Sequence, residues 1–541
     1  MKKQNKFTLI AALIFLIGLA SLSSARIHPT YAIVNCKIFP VSGPPIEKGT
    51  IIVRDGLIES IGPVEKVAVP EEAEVVEAEG LFAYPGLIDA HTGHFLETRK
   101  SPEPTERGEA GQPAQAPVEQ HPEMKAFDQL KAKKSTLDSL HKIGITTILV
   151  VPETGIFAGQ SVLLNLNGEE VEPMVVTHAF ALHVSFTTVR RAYPSSVMGT
   201  MSYLQQSFLD TQHYSLHKSL FAQSAKGLKR PEYDPFLETL VPYVVDRKPV
   251  VFKCDNLEDI KRALRLIEDF KLNGFLTGAN EAWRVAELVK KAKVPLFVSL
   301  DFKPPFTSSY ANQGNDLKEK AEKEIYPANA ANLHQQGIKF ALTSNGITKT
   351  VDIIKNIQTA VEKGLPKEEA LRAMTLTPAQ FLGVDNIQGS LEAGKIANLI
   401  LTSDEIFSQK AQVRRVFVDG LSFEIEEPQK KEGEKPAALN LSGRWNATLT
   451  GAMGKMEFTM EIEQDGNQIS GKMISDFGEW AISDGIISGK DITFTITGEA
   501  MGRTVDLAFS GEAEQDTIEG TITIMGSSAE LRATRSPGLS E

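Results

Sequence analysis

A chain of 541 residues is too long for one ordinary domain and suggests about three. With 42% hydrophobic and 23% charged residues it can bury real cores, which excludes a disordered chain. A formal net charge of −12 argues against the basic surface that a nucleic-acid binder needs, and suits neutral or cationic small molecules.

The first 25 residues have the three parts of a secretory signal. Lys2, Lys3 and Lys6 form a positive segment, residues 7–20 an apolar one, and Ser23-Ser24-Ala25 the small residues that a signal peptidase accepts. The apolar run is shorter than the roughly 20 residues of a bilayer span, so cleavage and export to the periplasm or the medium are expected, rather than an anchor. No later stretch is long and apolar enough to span. Two cysteines, Cys36 and Cys254, are no disulfide framework in so long a chain and read as two buried thiols.

Residues 31–39 alternate and are rich in β-formers, and Arg54-Asp55-Gly56 is a hairpin turn between residues 49–53 and 57–61. Tyr84 opens the segment YPGLIDAHTGH, in which an apolar strand ends in His91 and His94. From there to about residue 389, buried runs at 145–151, 174–176, 249–252, 274–276, 295–300 and 338–342 alternate with helical stretches such as 256–270 and 280–292. Strand-then-helix units imply parallel strands, and about eight in roughly 300 residues fit a (β/α)8 TIM-type barrel. An open doubly wound sheet is the other arrangement, though no GxGxxG follows any strand. A Pro/Glu-rich insertion at 101–122 reads as a lid or as filler. Residues 26–83 and 390–425 return to β character and are expected to meet in one small sandwich. A charged linker at 426–440 leads to an all-β sandwich or barrel over 441–536, with turns at Gln464–Asn467, Ser483–Gly485 and Ser488–Asp491. Trp445 and Trp480 read as core anchors there.

Two imidazoles at a strand mouth are the start of a metal site, since neutral imidazole is a common zinc ligand. Side chains at i and i+2 share a strand face, so a metal strand wants His-x-His; here Gly93 stands two residues after His91, and His94 is out of phase. YPGLIDAHTGH resembles the first-strand signature of the amidohydrolase superfamily, particularly its imidazolonepropionase-like members. GITTILVVPETG, FAGQSVLLNLNG, EEALRAMTLTPAQFLGVDNIQGSLEAGKIANLIL and VRRVFVDG extend the resemblance over about residues 31–420.

That resemblance implies one or two divalent metals, commonly zinc, at the C-terminal face of a barrel. It also implies a metal-made hydroxide and a last-strand aspartate that shuttles its proton. His91 matches the first ligand. Gly93 replaces the second, His183 falls at the bridging lysine, Lys253 at the fifth-strand histidine and Thr277 at the sixth. Asn345 stands at the aspartate and cannot act as a base. Catalytic zinc wants three protein ligands and an open position, which His91, His183 and His94 supply only if the loop bends His94 inward. His91 and His183 also read as hydrogen-bonded core histidines, and Lys253 as the partner of Asp255 or Asp301. Two readings follow: a hydrolase of non-peptide C–N bonds with an incomplete metal site, or an inactive homologue serving as a binding or partner subunit. A small-molecule ligand is expected, with a homo-oligomer or pairing with an intact homologue as further possibilities.

Overall fold

The structure is a computed structural model, and it describes residues 29–96, 121–189, 193–304, 315–425, 439–451, 454–475, 478–500, 503–524 and 527–536. The predicted signal, most of the insertion and most of the linker lie outside them. The chain divides into two compact units, residues 1–425 and 426–541.

In the first unit, strands from both flanks of the sequence share one eight-stranded sheet. Tyr31–Ile38 pairs antiparallel with Ile46–Arg54 and parallel with Phe82–Pro85, which in turn pairs antiparallel with Leu399–Thr402. The predicted hairpin forms as read: Arg54 pairs with Leu57, while Asp55 at φ 50° and Gly56 at φ 80° take the left-handed backbone that a primed turn requires. Cys36 and Cys254 are buried and unpaired.

The strand–helix segment forms two sheets. One holds Leu87–Thr92 parallel to Ile145–Val150, followed by the antiparallel strands Val162–Asn165 and Val175–Thr177. The other holds Leu182–Ser185, Pro249–Cys254, Asn273–Gly278, Leu296–Ser299 and Phe340–Thr343 in parallel order, with Phe157–Gln160 antiparallel at its edge. The run read as Met174–Val176 begins one residue later, because Met174 ends a helical turn. The helix read from Asn256 runs over Leu257–Phe270, with Asn256 as its cap: the side-chain oxygen accepts from the N–H groups of Glu258 and Asp259. A 27-residue helix, Val197–Gln223, has no clear sequence signature because apolar residues fall on its exposed side as well as its buried one.

Alternation along these strands sorts their side chains into two cores. Leu87, Ile148, Val250, Leu276, Leu296 and Phe340 belong to the larger cluster. Ile88, Ala90, Leu149, Ala181, Val251, Phe275, Phe297 and Ala341 form a second, separate cluster. The first and last parallel strands are tied by Asp89, whose Oδ1 accepts from the Ser344 N–H at 3.0 Å and whose Oδ2 accepts from the Ser344 hydroxyl.

The second unit is a closed antiparallel barrel of eight consecutive strands, from Gly443–Gly451 to Ser527–Arg535. Turns form at Gly466-Asn467 and Gly489-Lys490 as read. Ser483–Gly485 is no turn: it lies inside the strand Gly478–Ser488, where the ladder slips register between Ser483 and Ile486. A bulge and a turn draw on the same glycine-rich chemistry, which explains the misreading. Trp445 is fully buried; its indole N–H donates to the Leu441 carbonyl at 2.9 Å and the Arg535 guanidinium lies 4.5 Å from its ring centre. Trp480 packs against the same core half-buried.

Candidate active site

Strand periodicity builds the site on top of the second cluster. His183 follows Ala181 by two residues, Lys253 follows Val251 and Thr277 follows Phe275, so each continues the face that the cluster begins. Register sets Ser185 beside Lys253, and Lys253 beside Thr277. On the first strand the ladder slips between Asp89 and Thr92. Across that slip His91 reaches Thr277, its Nδ1 2.7 Å from Oγ1.

His91 and His183 are each only 4% exposed, and their rings meet edge to face with centres 5.8 Å apart. Burial holds both imidazoles neutral at physiological pH. It lowers His91 well below its ordinary value, reinforced by the charge of Lys253, and lowers His183 to about 3. His183 Nε2 is buried without a hydrogen-bond partner among the described residues. Asp89 beneath them is pushed up to about 6, chiefly by burial, against hydrogen bonds from Ser344 and His91 that favour its charge.

His91, His183, Lys253 and Asn345 line one small pocket of about 20 Å³, together with Glu153. Lys253 and Ser185 are also in the wall of a wider cavity of about 470 Å³, lined further by Thr187, Asp255, Asn256, Glu258, Asp259 and Arg262. The sequence reading gave Glu153 no role. Its signal lay in Gly93: a Cβ built there would sit 2.5 Å from Glu153 Oε1, so the carboxylate occupies the space that a side chain at position 93 would need.

His94 does not join this group. It lines a separate cavity of about 300 Å³ with Phe95, Lys131, Lys133 and Thr136, because the strand ends at Thr92 and the chain turns away through His94 and Phe95. The pairing expected for Lys253 is also absent: among the described residues it makes no ion pair with Asp255 or Asp301 within 4.0 Å. Asp301 instead packs against Gly346 and accepts from the Lys303 N–H.

Residues 247–422 match the family model described as the amidohydrolase family. An amidohydrolase from Thermotoga maritima MSB8 superposes with a TM-score of 0.61 at 25% identity, covering 73% of this chain and all of that one. This chain belongs to the amidohydrolase superfamily. A shorter stretch of 61 residues is 39% identical to a 5-methylthioadenosine/S-adenosylhomocysteine deaminase from Moorella thermoacetica; it is 11% of this chain and spans only 14% of that deaminase.

The residues present do not fit the divalent metal that superfamily membership implies. Among the described residues no three His, Cys, Asp or Glu side chains converge as such an ion needs. The Lys253 ammonium faces the same pocket, where it would repel a cation. Thr277 and Asn345 bring no anionic ligand, and Glu153, the carboxylate in the pocket wall, is solvent-exposed and forms no three-ligand group with the two imidazoles among the described residues. The arrangement suits a different task, holding an electron-rich oxygen.

Proposed function

We propose that this amidohydrolase hydrolyses a non-peptide carbon–nitrogen bond, with its strand–helix unit closing as a TIM-type barrel around the reacting group. The observation that supports this reading is the meeting of two cavities of unequal size at Ser185 and Lys253. A single water needs about 10–15 Å³ of accessible space, so a pocket of about 20 Å³ takes one oxygen-sized group and no more. The body of a small substrate fits the wider cavity.

In this mechanism the carbonyl oxygen of the substrate enters the small pocket. There the Lys253 ammonium and the neutral His183, as the tautomer protonated at Nε2, donate to it and stabilise the negative charge that develops. The Thr277 hydroxyl fixes the ring orientation of His91. Glu153 takes a proton from the attacking water as its oxygen bonds to the carbonyl carbon. The carbon–nitrogen bond then breaks, and Glu153 returns the proton to the leaving nitrogen. Asn345 lines the pocket and offers an amide there that cannot take up a proton. The deaminase named among the relatives supports a C–N bond as the target.

The test is release of ammonia or amine from a panel of linear amides, cyclic amides and aminated purines, by full-length protein treated with a chelator. Turnover that survives chelation and falls at least 100-fold in Glu153→Gln, with binding retained, is the expected result. Ligand binding without turnover across the panel would assign the site to a binding role. Turnover that requires an added divalent ion would overturn the metal-free mechanism.

A further inference from the structure

We infer that the substrate of this site carries a positive charge, held by Asp255 while Lys253 and His183 receive its oxygen; the inference rests on the C–N hydrolase reading for which bond reacts. The charges around the wide cavity mostly cancel among themselves. Asp259 pairs with Arg262 at 2.6 Å and also accepts from the Asn256 amide at 3.0 Å. Glu258 pairs with Lys261 at 2.9 Å. Lys253 and Asp255 are left: both are half-buried, and neither side chain has an ion-pair or hydrogen-bond partner among the described residues.

These two positions are complementary in what they lack. Lys253 and the orphaned His183 Nε2 are donors without an acceptor, at the end where the small pocket begins. Asp255 is an acceptor without a donor, in the wall of the wide cavity. Residues i and i+2 of an extended segment share a face and lie roughly 7 Å apart. A ligand that satisfies both ends therefore has a carbonyl or carboxylate oxygen at one end and an ammonium or guanidinium group several bonds away at the other. A neutral amide would leave the Asp255 carboxylate half-buried with no counter-charge, and an anion would meet repulsion there. A ligand cation replaces the water that Asp255 loses when the cavity fills.

The experiment measures binding by titration calorimetry on the full chain, using 5-aminopentanamide, pentanamide and 5-aminopentanoate. The expected result is that 5-aminopentanamide binds at least tenfold more tightly than pentanamide, that the advantage shrinks with added salt, and that in Asp255→Asn the two amides bind within about threefold of each other. 5-Aminopentanoate against the amide tells whether the Lys253 end prefers a carboxylate or a carbonyl oxygen, and Lys253→Met should weaken the carboxylate most. Equal binding of the charged and uncharged amides, or an advantage that survives Asp255→Asn, would overturn the inference. The charge preference without any turnover would refute hydrolysis and leave the recognition standing, so the two failures are separable.

Discussion

Replacing Thr277 by valine tests whether His91 is held by a hydrogen bond. The two shapes are nearly the same, so the substitution removes little more than the hydroxyl that meets His91 Nδ1 at 2.7 Å. Thr277 is fully buried and His91 nearly so, and water cannot replace the lost partner. An unsatisfied buried polar group costs about 1–3 kcal/mol, and the variant should lose that much. His91→Leu alone strands the Thr277 hydroxyl instead. The double variant Thr277→Val/His91→Leu strands neither, so its cost should fall below the sum of the single costs by about 1–2 kcal/mol. Urea titration followed by circular dichroism at 222 nm reads the first unit selectively, because every described helix lies within residues 1–425. Costs that add to within about 0.5 kcal/mol would refute the reasoning, since residues sharing a buried hydrogen bond cannot be independent. His91 would then be held by some other partner, and a metal assay of wild type beside His91→Leu would identify a bound ion.

Asp89 gives a pH dependence of definite sign. Burial raises its carboxyl in the fold to about 6, above the unfolded value of roughly 3.9, so its contribution to stability is fully present below pH 4 and is lost as pH rises through 6. Wild type should lose up to about 3 kcal/mol between pH 4 and pH 7 from this group, and Asp89→Asn, which keeps an oxygen for the N–H groups of His91 and Ser344, should lack that slope in urea titrations. In the second unit Trp445→Ala empties the best-buried ring of the barrel and should cost about 3–5 kcal/mol, read as faster amide exchange over residues 443–535; unchanged exchange there would contradict its place as the anchor.

Much of the fold was legible because its signals are local or periodic. Asp55-Gly56 announces a primed turn, and Asn256 announces a helix start three residues before Asp259. The buried strands show as short apolar runs because both faces are covered. What failed had no such signal. Residues 157–165 contain two strands in antiparallel pairings that interrupt the strand–helix rhythm, and nothing in FAGQSVLLNLNG says which neighbour each will choose. Ser483–Gly485 carries turn residues, yet the pairing of eight long strands keeps the chain extended through it.

The site was legible where one residue matched one position and illegible where two positions exchanged roles. The resemblance puts His183, Lys253 and Thr277 at ligand positions of three strands, and each does continue the face of its strand that the second cluster begins. His94 stands out of phase with His91 in the sequence, and it lines another cavity. Glu153 escaped because its role depends on an absence 60 residues away: Gly93 has no side chain, and only in three dimensions does the empty volume meet the carboxylate. A side chain at 93 would crowd the Glu153 carboxylate as it stands, and in the proposed mechanism that carboxylate is the base. Lys253 is likewise better understood with His183 than as a failed histidine. In the proposed mechanism the Lys253 ammonium and the unpartnered His183 Nε2 take over, as donors to the substrate oxygen, the polarising task that the superfamily's pattern gives to a cation, with the Glu153 carboxylate beside them as the base.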